Sequence, residues 1–146
     1  MKLGRAFAIA ALALVGASAC ASGPSYADYQ SSVPALKSAE GRLWFYRLGL
    51  LGGGIQPDIK VNGEVVGKSV SDGFFFVDRP PGHYTISNST EAERTLALTL
   101  APNEQKYVRM EAQIGMLVYT IKLVPVEREV ALAEIAKTKF SGPTKP

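Results

Sequence analysis

The sequence predicts a mainly β fold, an antiparallel β-sandwich of seven or eight strands followed by a short C-terminal helix. Short segments between residues 41 and 124 alternate apolar and polar side chains, as half-buried strands do. Glycine, proline, asparagine and aspartate separate these segments at nearly regular intervals, which is typical of antiparallel sandwiches. Hydrophobic residues make up 47% of the 146-residue chain, which is enough to fill the core of one domain.

The domain is predicted to begin at Gly41, with three strands in its first part. Residues 41–47 (GRLWFYR) are apolar on both faces, which indicates a central strand. A glycine-rich connection over residues 48–57 then leads to strands over residues 58–61 and 64–66. The Asn62-Gly63 pair between them favours a type I′ turn, because both residues tolerate a positive φ.

The second part of the domain contains five more strands and the helix. The strands are predicted over residues 74–78, 83–87, 95–100, 105–112 and 116–124. Their inward side chains are predicted to be Leu96, Leu98, Leu100, Val108, Met110 and Ala112, with Leu117, Tyr119, Ile121 and Leu123 on the last strand. After Pro125, residues 126–137 (VEREVALAEIAK) predict a helix that packs Leu132 and Ile135 against the sandwich.

The N-terminus is typical of an exported protein. Lys2 and Arg5 precede an uncharged, largely apolar run over residues 6–19. A membrane-spanning helix needs about 20 apolar residues, so this shorter run indicates a secretory signal peptide over residues 1–19. The run ends in the small residues that signal peptidases require, and the next residue is Cys20, the only cysteine of the chain.

The residues around Cys20 resemble a bacterial lipobox, in which the cysteine thiol takes a diacylglycerol and the signal is cut before it. The pattern prefers leucine where this chain has Ala17, so an ordinary cysteine after an Ala-x-Ala signal is the alternative. Lipidation is favoured because a lone exposed thiol is a liability in an oxidising compartment. Ala21, in place of aspartate, indicates the outer membrane. Residues 20–40 are predicted to be the lipidated cysteine and a tether, with one helical turn near residues 34–37, and residues 141–146 a fraying tail.

Three segments of the domain resemble one known family. They are GRLWFYR, QPDIKVNGEVVGKSVSDGFFFVDRPPGHYTI and EQKYVRME, and they resemble the bacterial lipoprotein family known as domain of unknown function 2846. The similarity extends over about residues 25–142. The resemblance implies a cell-envelope lipoprotein with a β-sandwich domain and no assigned activity, and it offers no catalytic residues to carry over.

Nucleic-acid and nucleotide partners have no support in the sequence. Lys2 and Arg5 supply much of the formal charge of +3, and the remaining basic and acidic residues nearly balance. Residues 63–69 (GEVVGKS) have one residue too few for a phosphate-binding loop and occur in a predicted hairpin. Gly67 in this stretch is better explained by a bulge or a close approach of two strands. We therefore expect no cofactor.

The residues for catalysis are sparse. His83, the only histidine, is expected on the polar side of its strand, and an acylated Cys20 leaves neither a zinc site nor a Cys-His nucleophile. The carboxylate pairs that remain for acid–base chemistry are Asp72 with Asp78, Glu91 with Glu93, and Glu127 with Glu129. We expect these carboxylates to be solvated, so an enzyme is not predicted and a hydrolase is a remote alternative.

An interaction surface is expected among the apolar residues. In a domain with one core, Phe75 faces away from Phe74 and Phe76, and the helix, the tether or a partner must cover it. Leu50 and Leu51 either close one end of the sandwich or form an apolar tip that touches lipid or protein. Trp44 and Tyr46 are predicted to be core residues, but if exposed they offer a platform for a sugar ring.

Together these observations predict a lipid-anchored protein at the periplasmic face of the outer membrane. Its domain is expected to be a structural or protein-binding module, with the membrane and an envelope protein as partners. The alternative is a module that binds envelope glycan through exposed aromatic residues. The candidate interaction residues are Phe75, Leu50, Leu51, Trp44 and Tyr46.

Overall fold

A computed structural model of the protein describes residues 20–49 and 51–142. Within these residues the chain forms nine strands, two short α-helices and one 3₁₀ turn. The strands are β1 Gly41–Arg47, β2 Asp58–Val61, β3 Glu64–Lys68, β4 Gly73–Arg79, β5 Gly82–Ser89, β6 Glu93–Leu100, β7 Gln105–Ile114, β8 Tyr119–Val126 and β9 Lys139–Phe140. The helices are α1 Tyr26–Tyr29 and α2 Arg128–Ile135, and the 3₁₀ turn is Gln30–Ser32. The predicted signal peptide, Leu50 and the last four residues lie outside the described part.

Two sheets form a sandwich, which confirms the predicted fold class. The first sheet has the order β8-β7-β1-β4-β9 and the second has the order β3-β2-β5-β6. Most neighbours are antiparallel, as expected, but β1 pairs with β7, and β4 with β9, in parallel. At the start of the first parallel pair, Asn103 N in the turn before β7 donates a hydrogen bond at 2.8 Å to Glu40 O, just before β1. Both strands therefore start at the same end of the sheet.

The β2–β3 hairpin has the geometry that its sequence predicts. Asn62 and Gly63 have φ values of 48° and 83°, as a type I′ turn requires. The register shifts between Ile59 and Lys60, which leaves Val66, the neighbour of Gly67, without a partner, so the predicted bulge is present. A Cβ atom at Gly67 would lie 2.7 Å from the ring of Phe75, so the position also leaves room for a core side chain.

The main core lies between the two sheets. Its buried side chains come from β1, β2, β4, β5, β6, β7 and β8: Leu43, Phe45, Ile59, Val61, Phe75, Ile86, Leu100, Val108, Met110, Ile121 and Leu123. The rings of Phe45 and Phe75 stack at its centre with their centroids 4.9 Å apart. The inward residues predicted on β6 and β7 all pack in or against this core.

A second core covers the outer face of the first sheet. Its buried residues are Trp44, Tyr46, Phe74, Tyr107, Ala131 and Ile135, with Leu132 partly buried against them. Helix α2 lies within the predicted range and packs here, as expected. Because β1 has a core on each side, the aromatic residues of both its faces are buried, in agreement with a central strand.

The predicted tether is instead part of the folded unit. Ser25 caps α1, whose residues Tyr26 and Tyr29 pack on the second core, and Tyr29 stacks on Phe140 at 4.1 Å. The helical turn therefore occurs at residues 26–29, earlier than the sequence suggests. The correction has a physical reason: these tyrosines supply the apolar cover that the outer face of the first sheet needs around Phe74.

The last long strand starts later than predicted. The final pair of the β7–β8 ladder joins Ile114 to Tyr119, and Gly115 N donates to Val118 O at 3.0 Å to close the turn. Leu117, which was expected to face the core, is 91% exposed in this turn. None of the helices that the structure describes is long and apolar enough to cross a bilayer.

Candidate functional site

The residues expected to form an interaction surface are mostly core residues. Trp44 is 4% exposed and Tyr46 0%, so both are core residues, as predicted, and Phe75 is 1% exposed, so none of the three belongs to an exposed interaction surface. Phe75 lies inside the sandwich because the domain has two cores, and Phe74 and Phe76 take the second one. Leu51 is 48% exposed.

Trp44 and Tyr46, the two residues considered for a glycan platform, do not form an open aromatic surface. The indole of Trp44 donates its N–H to Gln105 Oε1 at 2.8 Å. However, its ring is covered by Tyr107 and Phe76, and Arg42 lies over Phe76. A sugar ring therefore finds no open aromatic face at Trp44.

Arg47 organises one end of the sandwich. Its side chain is fully buried at the end of β1 and donates to four backbone carbonyl oxygens at 2.7–2.8 Å. The acceptors are Leu51, Gly52, Ile55 and Ser69. Burial lowers the pKa of this guanidinium, and the nearby charge of Asp72 opposes the shift. The glycine-rich connection thus closes this end, the first of its two predicted alternatives.

Cys20 lies at this same end. It is exposed and forms an isolated bridge with Ser71, two residues before the start of β4. Ala21 N donates to Ser71 O at 2.8 Å, and Asp72 accepts a hydrogen bond from Gly49 N at 2.7 Å. We call this region, formed by Cys20, residues 47–49, residues 51–55 and residues 69–72, the Cys20 end.

The turn between β7 and β8, residues 114–118, is an exposed apolar segment that we call the β7–β8 tip. The exposed fractions of its large side chains are 81% for Ile114, 94% for Met116, 91% for Leu117 and 43% for Val118. The sequence suggested a core strand here, because the alternation of apolar and polar residues continues beyond Ile114 and Tyr119, the last pair of the β7–β8 ladder. The tip was therefore missed as a surface feature.

Glu91 fixes the backbone of the tip. This glutamate lies in the β5–β6 turn, and its carboxylate accepts the backbone N–H groups of Met116, Leu117 and Val118, the first at 3.0 Å. These hydrogen bonds hold the pKa of Glu91 below its usual value. Three apolar residues are thus presented on an ordered backbone.

Neutralising Glu91 is expected to loosen the tip. In Glu91→Gln the side chain keeps one acceptor oxygen but loses the charge that binds three donors, so the tip amides should exchange with solvent faster. In the wild-type chain the pKa of Glu91 is lower in the folded state than in the unfolded state. The stabilisation of the tip by the carboxylate is therefore present at neutral pH and is lost as the pH falls through the folded pKa. Hydrogen exchange of the amides of residues 116–118 measures both effects.

Glu93→Gln is the matched control, since Glu93 is an exposed carboxylate at the start of β6, two residues after Glu91. Exchange at the tip should match the wild-type chain in this variant. Unchanged tip exchange in Glu91→Gln would contradict the role assigned to Glu91.

The candidate acid–base groups are spread over the domain. Asp72 and Asp78 lie at opposite ends of β4, and Asp78 pairs with Arg42 at 2.6 and 2.8 Å. His83 is exposed, as expected, and its Nδ1 lies 2.9 Å from Thr99 Oγ1. In the described part of the chain, no group of three or more His, Cys, Asp and Glu side chains is placed to hold a metal ion.

A polar cluster beneath α2 was not found from the sequence. Tyr46 donates its hydroxyl to Glu134, and Arg109 donates to both oxygens of the same carboxylate at 2.9 and 3.0 Å. Burial acts to raise the pKa of Glu134, but the bonds from Tyr46 and Arg109 outweigh it and lower the pKa. This cluster fastens α2 to the sheet. Its only signal in the sequence is that Glu134 precedes Ile135 on the helix face that packs inward.

Comparison with known proteins gives one family. The family model described as "Protein of unknown function (DUF2846)" matches residues 37–121, which is more than half of the chain. This range contains β1 to β7, the glycine-rich connection and the β7–β8 tip, while Cys20 precedes it. No curated protein matches the chain.

Proposed function

The chain belongs to the DUF2846 family, whose description assigns no activity, and we propose that it is a lipid-anchored protein of the bacterial cell envelope. In this proposal Cys20 carries the acyl chains, and the β-sandwich is a structural or protein-binding module without catalytic activity. The chain is held at the periplasmic face of the outer membrane, as Ala21 after the cysteine indicates.

The observation that carries the proposal is the setting of Cys20. In the sequence it follows an apolar run that ends in small residues, and in the fold it is exposed at one end of the sandwich. Acylation needs an accessible sulfur, and Cys20 is exposed although its backbone is bridged to Ser71. Each buried methylene adds about 0.8 kcal/mol of anchoring, so several chains on one residue give a stable attachment.

The interior of the domain supports a binding or structural role. Three of the candidate acid–base groups have structural partners: Asp78 pairs with Arg42, Glu91 holds the tip, and Asp72 holds Gly49. The aromatic residues fill two cores. What the domain presents to its surroundings is therefore shape and apolar surface, which suits contact with protein or lipid.

Membrane fractionation of two variants tests the anchor. The full chain, produced in a bacterial host that processes lipoproteins, should be found in the membrane fraction, and Cys20→Ala should be lost from it. Ser22→Ala is the matched control, because it is an equally small change two residues away, at an exposed position. It should remain in the membrane. Cys20→Ala that stays with the membrane to the same extent would refute the anchor.

A further inference from the structure

We propose that the β7–β8 tip inserts into the lipid surface that holds the acyl chains of Cys20, so that the sandwich meets the membrane at two points. The inference rests on the proposed lipidation of Cys20. In this inference the exposed apolar surface contacts the boundary between the headgroups and the acyl chains of the bilayer. This second contact gives the domain a fixed orientation on the membrane.

The first argument is the amount of apolar surface that the tip exposes. Ile114, Met116 and Leu117 each expose more than four fifths of their surface. Isolated apolar residues are common on protein surfaces, but a cluster at the end of a hairpin marks a contact site. Leu51, on the glycine-rich connection at the Cys20 end, is also half-exposed.

The second argument is that the tip and Cys20 lie at the same end of the sandwich. Strand β1 ends at Arg47, which pairs with Gly73 at the start of β4, just after the Cys20–Ser71 bridge. Strand β7 runs parallel to β1 and continues for five residues beyond Arg109, the partner of Tyr46. At about 3.3 Å per residue, the tip therefore projects roughly 16 Å past that pair.

The third argument is a close contact between the Cys20 end and Tyr119, the residue that directly follows the tip. The backbone of Gly52 approaches Tyr119, the first residue of β8, so closely that a Cβ atom there would lie 2.9 Å from the Tyr119 ring. Gly52 in turn is held by Arg47 at 2.7 Å. The glycine-rich connection therefore lies against the start of β8, directly beside the tip.

The fourth argument concerns the distance between anchor and fold. Ala21, the residue after Cys20, is already buried and hydrogen-bonded to Ser71. With no free chain between the acylated residue and the sandwich, the Cys20 end is held against the bilayer. A flexible tether would allow the domain to turn the tip away from lipid.

The backbone of the tip also suits an apolar environment. An unpaired N–H group is costly in lipid, and the four N–H groups of residues 115–118 are all bonded, one to Val118 O and three to Glu91. The carboxylate comes from the neighbouring β5–β6 turn and contacts the backbone of the tip, on the side away from the exposed apolar side chains in this proposal. Insertion therefore leaves Glu91 at the level of the headgroups while the side chains of residues 116 and 117 reach the acyl boundary.

Fluorescence of a labelled tip in vesicles tests this insertion. Met116→Cys and, as the control at the opposite end, Ala101→Cys are labelled with a polarity-sensitive thiol probe in the lipidated full chain, where the acylated Cys20 cannot react. The proteins are placed in vesicles of phosphatidylethanolamine and phosphatidylglycerol that contain a nitroxide lipid. We expect a blue shift and loss of most of the fluorescence at position 116, and neither at position 101. Adding Leu117→Asp to the labelled Met116→Cys chain should reverse both changes.

The outcomes separate the two proposals. Mass measurement before labelling shows whether Cys20 is acylated, and an unmodified Cys20 overturns the proposed function and this inference together. An acylated chain whose probe at position 116 behaves like the probe at position 101 overturns the insertion alone. A change at position 116 that appears without lipid and grows with protein concentration would also overturn it, because the occupant is then a second copy of the chain.

Discussion

Replacing Arg47 with methionine is expected to lower the free energy of unfolding by about 3 kcal/mol. The substitution keeps the length of the side chain but removes the donors of four hydrogen bonds, to the carbonyl oxygens of Leu51, Gly52, Ile55 and Ser69. These carbonyls lie where the glycine-rich connection folds over the end of β1, so the connection should open to water. Urea unfolding of the soluble Cys20→Ala chain, followed by the fluorescence of Trp44, measures the loss.

Two further substitutions make the Arg47 experiment decisive. Arg47→Lys should recover only part of the stability, because one ammonium group has three donors for four acceptors. Arg79→Met is the matched control, since Arg79 is only partly buried and contacts the exposed Glu64 at 3.3 Å. It should cost less than about 1 kcal/mol. Equal losses in Arg47→Met and Arg79→Met would contradict the role of Arg47 at the Cys20 end.

Replacing Phe75 with alanine is expected to cost about 3–5 kcal/mol, the largest loss in the domain. The ring lies at the centre of the main core, stacks on Phe45 at 4.9 Å and fills the space that the missing side chain of Gly67 leaves. Alanine removes these contacts and leaves a cavity between two sheets that cannot close over it. Because natural domains are stable by only about 5–15 kcal/mol, much of the stability is at risk.

The milder variant Phe75→Leu should retain a measurable transition if Phe75→Ala does not fold. Val65→Ala is the control, because Val65 lies on β3, next to the bulge, and is 52% exposed. Its unfolding transition should stay within about 0.5 kcal/mol of the parent chain. A Phe75→Ala chain as stable as Val65→Ala would place Phe75 on the surface and refute the arrangement of the two cores.

Local sequence signals predicted most of the strands and turns. The Asn62-Gly63 turn needs only its own two residues, and Gly67 needs only its neighbours in the hairpin, so short-range patterns were sufficient. The alternation over residues 95–100 likewise gave the correct inward face of β6. These features depend on backbone preferences that act within a few residues.

The errors occurred where the structure depends on distant contacts. Which face of β4 holds Phe75 depends on the second core, and that core exists only because residues 26–29 and α2 cover the first sheet. The composition of residues 20–40 predicted a tether, because apolar residues are sparse there. Tyr26 and Tyr29 become part of a core through their contacts with Phe74, which is distant in the sequence. A sequence does not reveal such a partner.

The candidate site was predicted only in part. The sequence drew attention to Cys20 and to the connection that contains Leu51, and the fold brings both to one end. It did not reveal the tip, because the alternation of apolar and polar residues includes Leu117, whereas the pairing of β7 with β8 reaches only Ile114 and Tyr119. Glu91 lies 25 residues before the first amide it binds, so no local pattern joins them.

The central claim is that the sulfur of Cys20 carries the lipid that holds this end of the sandwich at the membrane. Mass spectrometry of the N-terminal peptide from the chain purified out of bacterial membranes measures it most directly. The peptide should begin at residue 20 and carry the mass of a diacylglyceryl group on the cysteine. A peptide that begins at residue 20 or 21 with no lipid, or one that contains a free thiol, would contradict the claim.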